Sequence, residues 1–358
     1  MSKARTTLVA VGVLVCQSLS AAPLDELLAA THTAPEIEAG YDQVNRTVDI
    51  FRIRERDSFA AGTALGDYSG FHLIGGIPLL ERHVWLDGAL WQRKLNIASL
   101  GAGDARITSW SAAGQYRVAR QVGNLPDLGL RLSAWGDASD SITKESPTTF
   151  NAFTVARLEV GHPRDRQLQA DVVASWGAGR FSGFNAFAGI GSSTVDFDSV
   201  RAFQGSCEYA VTSPSDSRIL MDTRSPGCNA VLIQNRGAFA PKYNTNNFRY
   251  HARSLHFGGS YTLVERRWRF RAGYRWEKII RALDDDIAAV GGAVVNGNVI
   301  LTGEIGYRIA ERIGVVVRGH YFTRQLNGEI PFTYNAFTAD KFNHRYGLVT
   351  TALVFAFD

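Results

Sequence analysis

Residues 268–277 alternate with a period of two. Trp268, Phe270, Ala272, Tyr274 and Trp276 fall on one side; Arg269, Arg271, Arg275 and Glu277, with Gly273, fall on the other. Two is the side-chain repeat of a β-strand. The asymmetry recurs along the chain. In 298–309, Val299, Leu301, Ile305 and Tyr307 oppose Thr302, Glu304 and Arg308; in 313–324, Val315, Val317 and Tyr321 oppose Arg318, His320 and Arg324. In 84–94, Leu86 and Leu90 oppose Asp87, Trp91 and Arg93; in 106–118, Trp110 and Tyr116 oppose Gln115 and Arg117. In 128–137, Leu128, Leu130 and Leu132 oppose Arg131 and Asp137; in 167–176, Leu168, Val172 and Trp176 oppose Gln167, Gln169 and Asp171. So many segments with one two-faced pattern predict an all-β chain of many strands.

The apolar face is unusually aromatic. At about 3.3 Å per residue and a tilt near 40°, Trp268 and Trp276 stand roughly 20 Å apart along a membrane normal. That spacing suits two interfacial girdles around an apolar band. Trp110, Trp176, Trp268, Trp276, Tyr307 and Tyr321 are the girdle candidates. The pattern therefore predicts a transmembrane antiparallel up-and-down β-barrel, with hydrocarbon outside and an enclosed polar space inside. Short links (81–83, 163–166, 265–267, 310–312) roughly alternate with long ones (45–68, 96–104, 139–149, 207–248, 283–297, 326–342). Short periplasmic turns and long outer loops would produce this, with both termini in the periplasm and an even strand count. Counting gives about 14 strands, near 36–44, 69–79, 84–95, 105–118, 128–138, 150–161, 167–177, 183–195, 199–206, 249–263, 267–281, 298–309, 313–325 and 343–357. Segment 69–79 contains Gly75-Gly76 and Pro78, and 199–206 is short; dropping both would leave 12.

Composition sharpens the class. The chain of 358 residues is 45% hydrophobic, with a mean hydropathy of −0.09. No stretch after the first residues offers 18 uninterrupted apolar positions, which argues against spanning helices. A barrel reconciles low hydropathy with a membrane, because only alternate residues meet lipid. Lys3 and Arg5, the apolar run Thr7–Val15 and the small residues Ser18–Ala22 have the layout of a cleaved secretory signal over 1–22. Residues 23–35 then form a lead or a small lumenal plug, and 36–358 the barrel. Cys207 and Cys228 would be a matched pair in an oxidising compartment, and a disulfide is expected across their turn-rich loop.

The segment Tyr346–Phe357 resembles the terminal strand of outer-membrane barrels, whose closing aromatic is read by the barrel-assembly machinery; here Asp358 follows Phe357, an offset of one. The chain is thus similar to porin-like barrels of Gram-negative bacteria. Glu38-Ala39-Gly40-Tyr41-Asp42, followed by Val48-Asp49-Ile50-Phe51, resembles the opening strand of exopolysaccharide-export barrels, without the tetratricopeptide repeats that often precede them.

The interior should carry the function. The inward candidates for a solute path are Arg93, Arg117, Arg131, Arg269, Arg271, Arg275, Glu277, Glu304, Arg308, Arg318, His320 and Arg324; Glu36, Glu38, Asp87, Asp137, Asp171 and, on the 150–161 strand, Arg157 and Glu159 complete the inward positions. Arginine outnumbers acid in this set, and its planar fork suits carboxylates, phosphates and sulfates. A channel for small anionic or carbohydrate solutes is the leading expectation. Competing readings are an internal salt-bridge network, an export barrel for an envelope polysaccharide, and a structural or adhesive surface barrel acting through 207–248. His251, Ser254 and His256 lie close in sequence, but no context makes them a hydrolase, so no catalytic residue, cofactor or metal is expected. Outer-membrane lipid and lipopolysaccharide are the expected surroundings, and no nucleic-acid module is visible.

Overall fold

The computed structural model describes residues 35–44, 68–96, 104–145, 147–150, 153–177, 182–215, 218–234, 248–289, 292–324, 330–335, 338–343 and 345–357. The expected leader and nearly all of the 23–35 lead lie outside them.

Twelve strands close into an antiparallel barrel. In chain order these are β1 (Glu36–Val44), β2 (Tyr68–Leu79), β3 (Val84–Asn96), β4 (Asp104–Ala119), β5 (Asp127–Ser139), β10 (Arg164–Gly177), β11 (Ser182–Asp196), β16 (Tyr250–Glu265), β17 (Trp268–Arg281), β18 (Gly297–Arg308), β19 (Ile313–Phe322) and β20 (Tyr346–Ala356). Each pairs with its neighbour in this order, and β1 closes on β20 with Ile37 opposite Phe355. Alternation turns every strand into a divider. Asp87, Arg93, Arg131, Arg271, Glu304 and Arg318 are buried inside, while Phe71, Leu90, Leu132, Leu168 and Ile190 stand exposed outside. This inverts a water-soluble protein. A barrel has no unpaired edge, so all its ladder hydrogen bonds are met without water, as hydrocarbon requires.

The girdle candidates all take the outward parity. Trp268 lies 4.6 Å from Tyr307 at the short-turn end, and Trp276 lies 5.1 Å from Phe257 toward the long-loop end, between ring centroids.

The strand count of about 14 is corrected to 12. Segment 69–79 is a barrel strand despite its glycines and Pro78. The two that leave the barrel are 150–161 and 199–206. Strands β9 (Arg157–Gly161) and β12 (Ser199–Gln204) extend β10 and β11 beyond the barrel: Arg164 pairs with Asp196, and past the break Gly161 pairs with Ser199 in the same register. The Asp198 amide donates to the Gly161 carbonyl at 2.8 Å across the join. His162, at φ 44°, and Pro163 bend the strand there. The tract 163–166, expected as a short turn, is this kink at the long-loop end. Arg157 and Glu159 therefore sit outside the barrel.

Beyond the kink lies a second, six-stranded sheet, in which β12 and β9 are neighbours. It adds β6 (Ile142–Lys144), β13 (Cys207–Ser215), β14 (Arg218–Thr223) and β15 (Val231–Gln234), in the order β15-β14-β13-β12-β9-β6. A small hairpin of β7 (Thr148–Phe150) and β8 (Phe153–Val155) accompanies it. The sheet has its own apolar core of Val155, Phe197, Val200, Tyr209, Val211, Ile219, Met221 and Ile233. Cys207 and Cys228 are joined by a disulfide, with Cα atoms 5.9 Å apart.

Candidate functional site: the barrel interior

Inward residues of neighbouring strands form one continuous polar chain. Glu304 on β18 accepts from Arg269 Nε on β17 (3.0 Å) and from Arg318 Nε on β19 (2.9 Å), and forms ion pairs with Arg269 Nη2 at 2.8 Å and Arg271 Nη1 at 3.8 Å. Arg318 Nη2 reaches both carboxylate oxygens of Glu38 on β1, at 3.2 and 3.1 Å. Glu38 meets His72 Nε2 at 3.1 Å, and His72 Nδ1 meets Asp42 at 2.9 Å. Thr350 donates to the other Asp42 oxygen at 2.6 Å. Gly40 makes the turn of this chain around His72 possible, because a Cβ there would stand 2.4 Å from His72 Nε2.

Two further groups complete the interior. Arg131 donates to Asp87 at 2.7 Å, and Arg93 lies 3.9 Å from Asp137, which also takes a hydrogen bond from Ser109. Arg275 lies 3.5 Å from Glu277 and donates to Gln169 at 3.3 Å; Gln169 donates to Asp171 at 2.8 Å. Asp171 stands 2.5 Å from His256 Nε2.

The long-loop end of this space is covered from within. Ile330, Phe332, Tyr334 and Phe342 pack with Leu283, Ile287, Val295, Ile300 and Phe322. The Tyr250 hydroxyl donates to the Pro331 carbonyl at 2.6 Å, and the Val295 amide donates to the Tyr334 hydroxyl at 3.0 Å. Arg281 stacks 3.9 Å over the Tyr334 ring.

Of the expected inward residues, Arg93, Arg131, Arg269, Arg271, Arg275, Glu277, Glu304, Arg318 and His320 are buried inside the barrel. Arg117 is half-buried at the short-turn rim, 4.8 Å over Trp85 and 3.7 Å from Asp127. Arg308 is half-buried at the same end. Arg324 lies past the end of β19, where its amide donates to Asn298 at 3.0 Å. An excess of arginine is not what the interior holds. Among the described residues its buried charges are Arg93, Arg131, Arg269, Arg271, Arg275, Arg281 and Arg318 against Glu36, Glu38, Asp42, Asp87, Asp137, Asp165, Asp171, Glu277 and Glu304, seven against nine. The charge is polarised instead: five of the arginines sit on β17 and β19, and seven of the acids on β1, β3, β5 and β10. Asp42, His72, Asp165 and Thr350 escaped the sequence reading. The parity of Glu36 and Glu38 already points to Asp42, but His72 lies on a strand whose glycines and proline masked its period. In the histidine cluster, His251 faces outward against Thr194, while His256 faces in.

A closed antiparallel barrel with apolar residues outside and paired charges inside decides the fold. The chain has the fold of an outer-membrane β-barrel. It superposes on the translocator domain of autotransporter NalP from Neisseria meningitidis with TM-score 0.52 at 10% identity, covering 92% of this chain and 91% of that one. More distant likenesses are the β domain of the Bordetella autotransporter BrkA (TM-score 0.45, 8% identity, 90% and 99% covered) and the Ralstonia pickettii toluene transporter TbuX (0.42, 9%, 96% and 96%). At such identity the likeness is one of fold alone. No protein-family model and no curated protein matches the chain.

Proposed function

We propose that the protein is a gated outer-membrane channel for small anionic or carbohydrate solutes, closed in the state seen here, with both ends in the periplasm. One observation supports this reading most. The space inside twelve strands is filled by ion pairs and a folded loop, both of which can separate and move, and not by packed hydrocarbon. A barrel of twelve strands lies between the filled eight-stranded kind and open porins. Buried ion pairs add little net stability, since desolvation offsets their attraction. Their value is then in the groups they hold ready. When the Glu304 cluster parts, Arg269, Arg271 and Arg318 present planar donors along one wall, suited to carboxylate, phosphate or sugar hydroxyls. Lipid surrounds the barrel, and its last strand is the segment offered to the assembly machinery. No catalytic step is assigned to Asp171 and His256, which are sealed from solvent.

The test is single-channel recording of the purified full chain in planar bilayers. Wild type is expected to be quiet, with rare openings. Replacing 330–343 by a short Gly-Ser linker is expected to give steady conductance with anion preference, and Glu304→Gln to increase that preference. A barrel that stays silent after the loop is removed would overturn the channel. A second reading draws on the disulfide-stapled outer sheet, a built surface for binding. Deleting 199–234 would then abolish binding to an envelope or host ligand without changing permeability.

A further inference from the structure

Above the long-loop girdle, the lipid-facing side of the barrel changes character over one arc. Outward positions of β10, β16 and β17 carry Arg166, His251, Arg253 and Lys278, the last donating to Asn296 at 2.7 Å. Arg166 is opposite Thr194, and Thr194 is opposite His251; one row below, Ser192 is opposite Arg253; one row below that, Leu255 is opposite Lys278. Arg166, His251 and Arg253 are exposed.

Their height is set by the register. Arg253 lies four residues beyond Phe257, which pairs with Trp276. At about 3.3 Å per residue and a 40° tilt, that is roughly 10 Å further along the normal. Headgroups occupy this layer, the hydrocarbon core being about 30 Å of a 40–45 Å bilayer. Leu168 lies one row below Arg166, Ile190 and Leu255 lie one row below Arg253, and Ile280 stands level with Arg253; all four are exposed and apolar, ready to lie against acyl chains.

The local acids are already engaged. Asp196 pairs with Arg164 at 3.0 Å and Arg249 at 2.7 Å, and Asp198 with Arg164 at 2.5 Å and His162 at 3.3 Å. On the facing wall, Lys94 is held by Asp104 at 2.5 Å and stands opposite the exposed Arg106. Among the described residues, no carboxylate pairs with Arg166 or Arg253. Arg166 and Arg253, two strands and one row apart, about 12 Å between backbones at 4.8 Å per strand and 3.3 Å per residue, therefore stand at the top of a hydrocarbon-facing surface with no carboxylate among the described residues paired to either.

We infer that Arg166 and Arg253, flanked by His251 and Lys278, form a binding site for the phosphates of an acylated glycolipid of the outer leaflet, of the lipid A type. Arginine forks match phosphate oxygens bidentately. The apolar rows below take the acyl chains, which a free phosphate or an acidic protein would leave bare. The site rests on the outer-membrane orientation proposed above, but not on conduction.

The experiment titrates the purified full chain, in nonionic detergent, with bisphosphorylated lipid A in mixed micelles, followed by native mass spectrometry. Parallel arms use dephosphorylated lipid A and inorganic phosphate. Wild type is expected to hold bisphosphorylated lipid A, and Arg166→Gln with Arg253→Gln to bind it at least about tenfold more weakly. The double Lys variant, which keeps the charge but loses the fork, is expected to bind between wild type and the double Gln variant, and Lys94→Gln to bind as wild type does. Folding of each variant is checked by heat-modifiable migration. A folded double Gln variant that binds as wild type does, equal binding of the dephosphorylated lipid, or displacement by millimolar phosphate would each overturn the site. A silent barrel that still shows Arg-dependent lipid binding would sink the channel and leave this site standing.

Discussion

The barrel and the outer sheet are built from the same strands and obey opposite rules. Along β10 and its extension β9, one pairing register passes from hydrocarbon into water across the His162-Pro163 bend. Below the bend, charge is buried and leucine is exposed. Above it, Met221, Ile219 and Val200 are buried, and a disulfide ties the start of β13 to the connection between β14 and β15. The difference teaches that alternation alone says nothing about which face is the inside. The medium decides, and this chain crosses from one medium to the other within a single strand.

The largest expected effect breaks the barrel's side of that contrast. Glu304→Ala would leave Arg269, Arg271 and Arg318 facing one another without their shared acid. Removing one partner of a buried ion cluster costs about 3–5 kcal/mol. Urea unfolding in detergent, followed by heat-modifiable migration, should show a loss of that size, and an unchanged midpoint would mean that water reaches these groups. In the outer sheet the corresponding break is Cys207→Ser. The bridge spans a sequence separation of 21, and opening it should cost roughly 3 kcal/mol in the chain-entropy model. Hydrogen exchange should locate the loss in 199–234, with the barrel ladder still protected; loss of protection throughout would show that the two regions fold as one.

Two leucines sharpen the comparison directly. Leu132 is 67% exposed on the barrel wall and Leu232 is 54% exposed on the outer sheet. Leu132→Arg should cost about 2–4 kcal/mol, because it places charge in hydrocarbon. Leu232→Arg should change stability by less than about 0.5 kcal/mol, because its neighbour is water. Equal costs would remove the membrane from the account. The smallest effect concerns the seam. The hydrogen bond from Arg164 holds the Asp198 carboxyl below its ordinary range. A carboxyl whose folded value is depressed contributes fully above the ordinary carboxylate pKa and loses its contribution as pH falls through the folded value. Protection factors near 157–161 and 197–204 should therefore drop in acid, below about pH 4, while mid-barrel amides hold. A seam equally protected at pH 7 and pH 3 would show that the backbone ladder alone joins the sheet.

Much of this was legible in residue order. The parity of Trp268 to Glu277 identified both faces of β17, and the same reasoning placed Arg93, Arg131, Glu304 and Arg318 inside. Two things failed for physical reasons. A kinked strand looks like two strands joined by a turn, because His162-Pro163 interrupts the period whether the chain reverses or merely bends. The apparent excess of arginine failed because Arg117, Arg308 and Arg324 lie at the barrel's ends and Arg157 beyond the bend, whereas Asp165, in a tract that looks like a turn, belongs to β10 and is buried inside.

Sequence by itself determined that this chain makes two-faced strands, with aromatic girdles on one face and charge on the other, because side-chain alternation is a local property of extended backbone. Only the tertiary structure decided which strands close the barrel, which leave it at the bend, and which charges neutralise one another. Those depend on registers between strands up to hundreds of residues apart, as Arg318 with Glu38 shows. No local pattern encodes a partner at that distance.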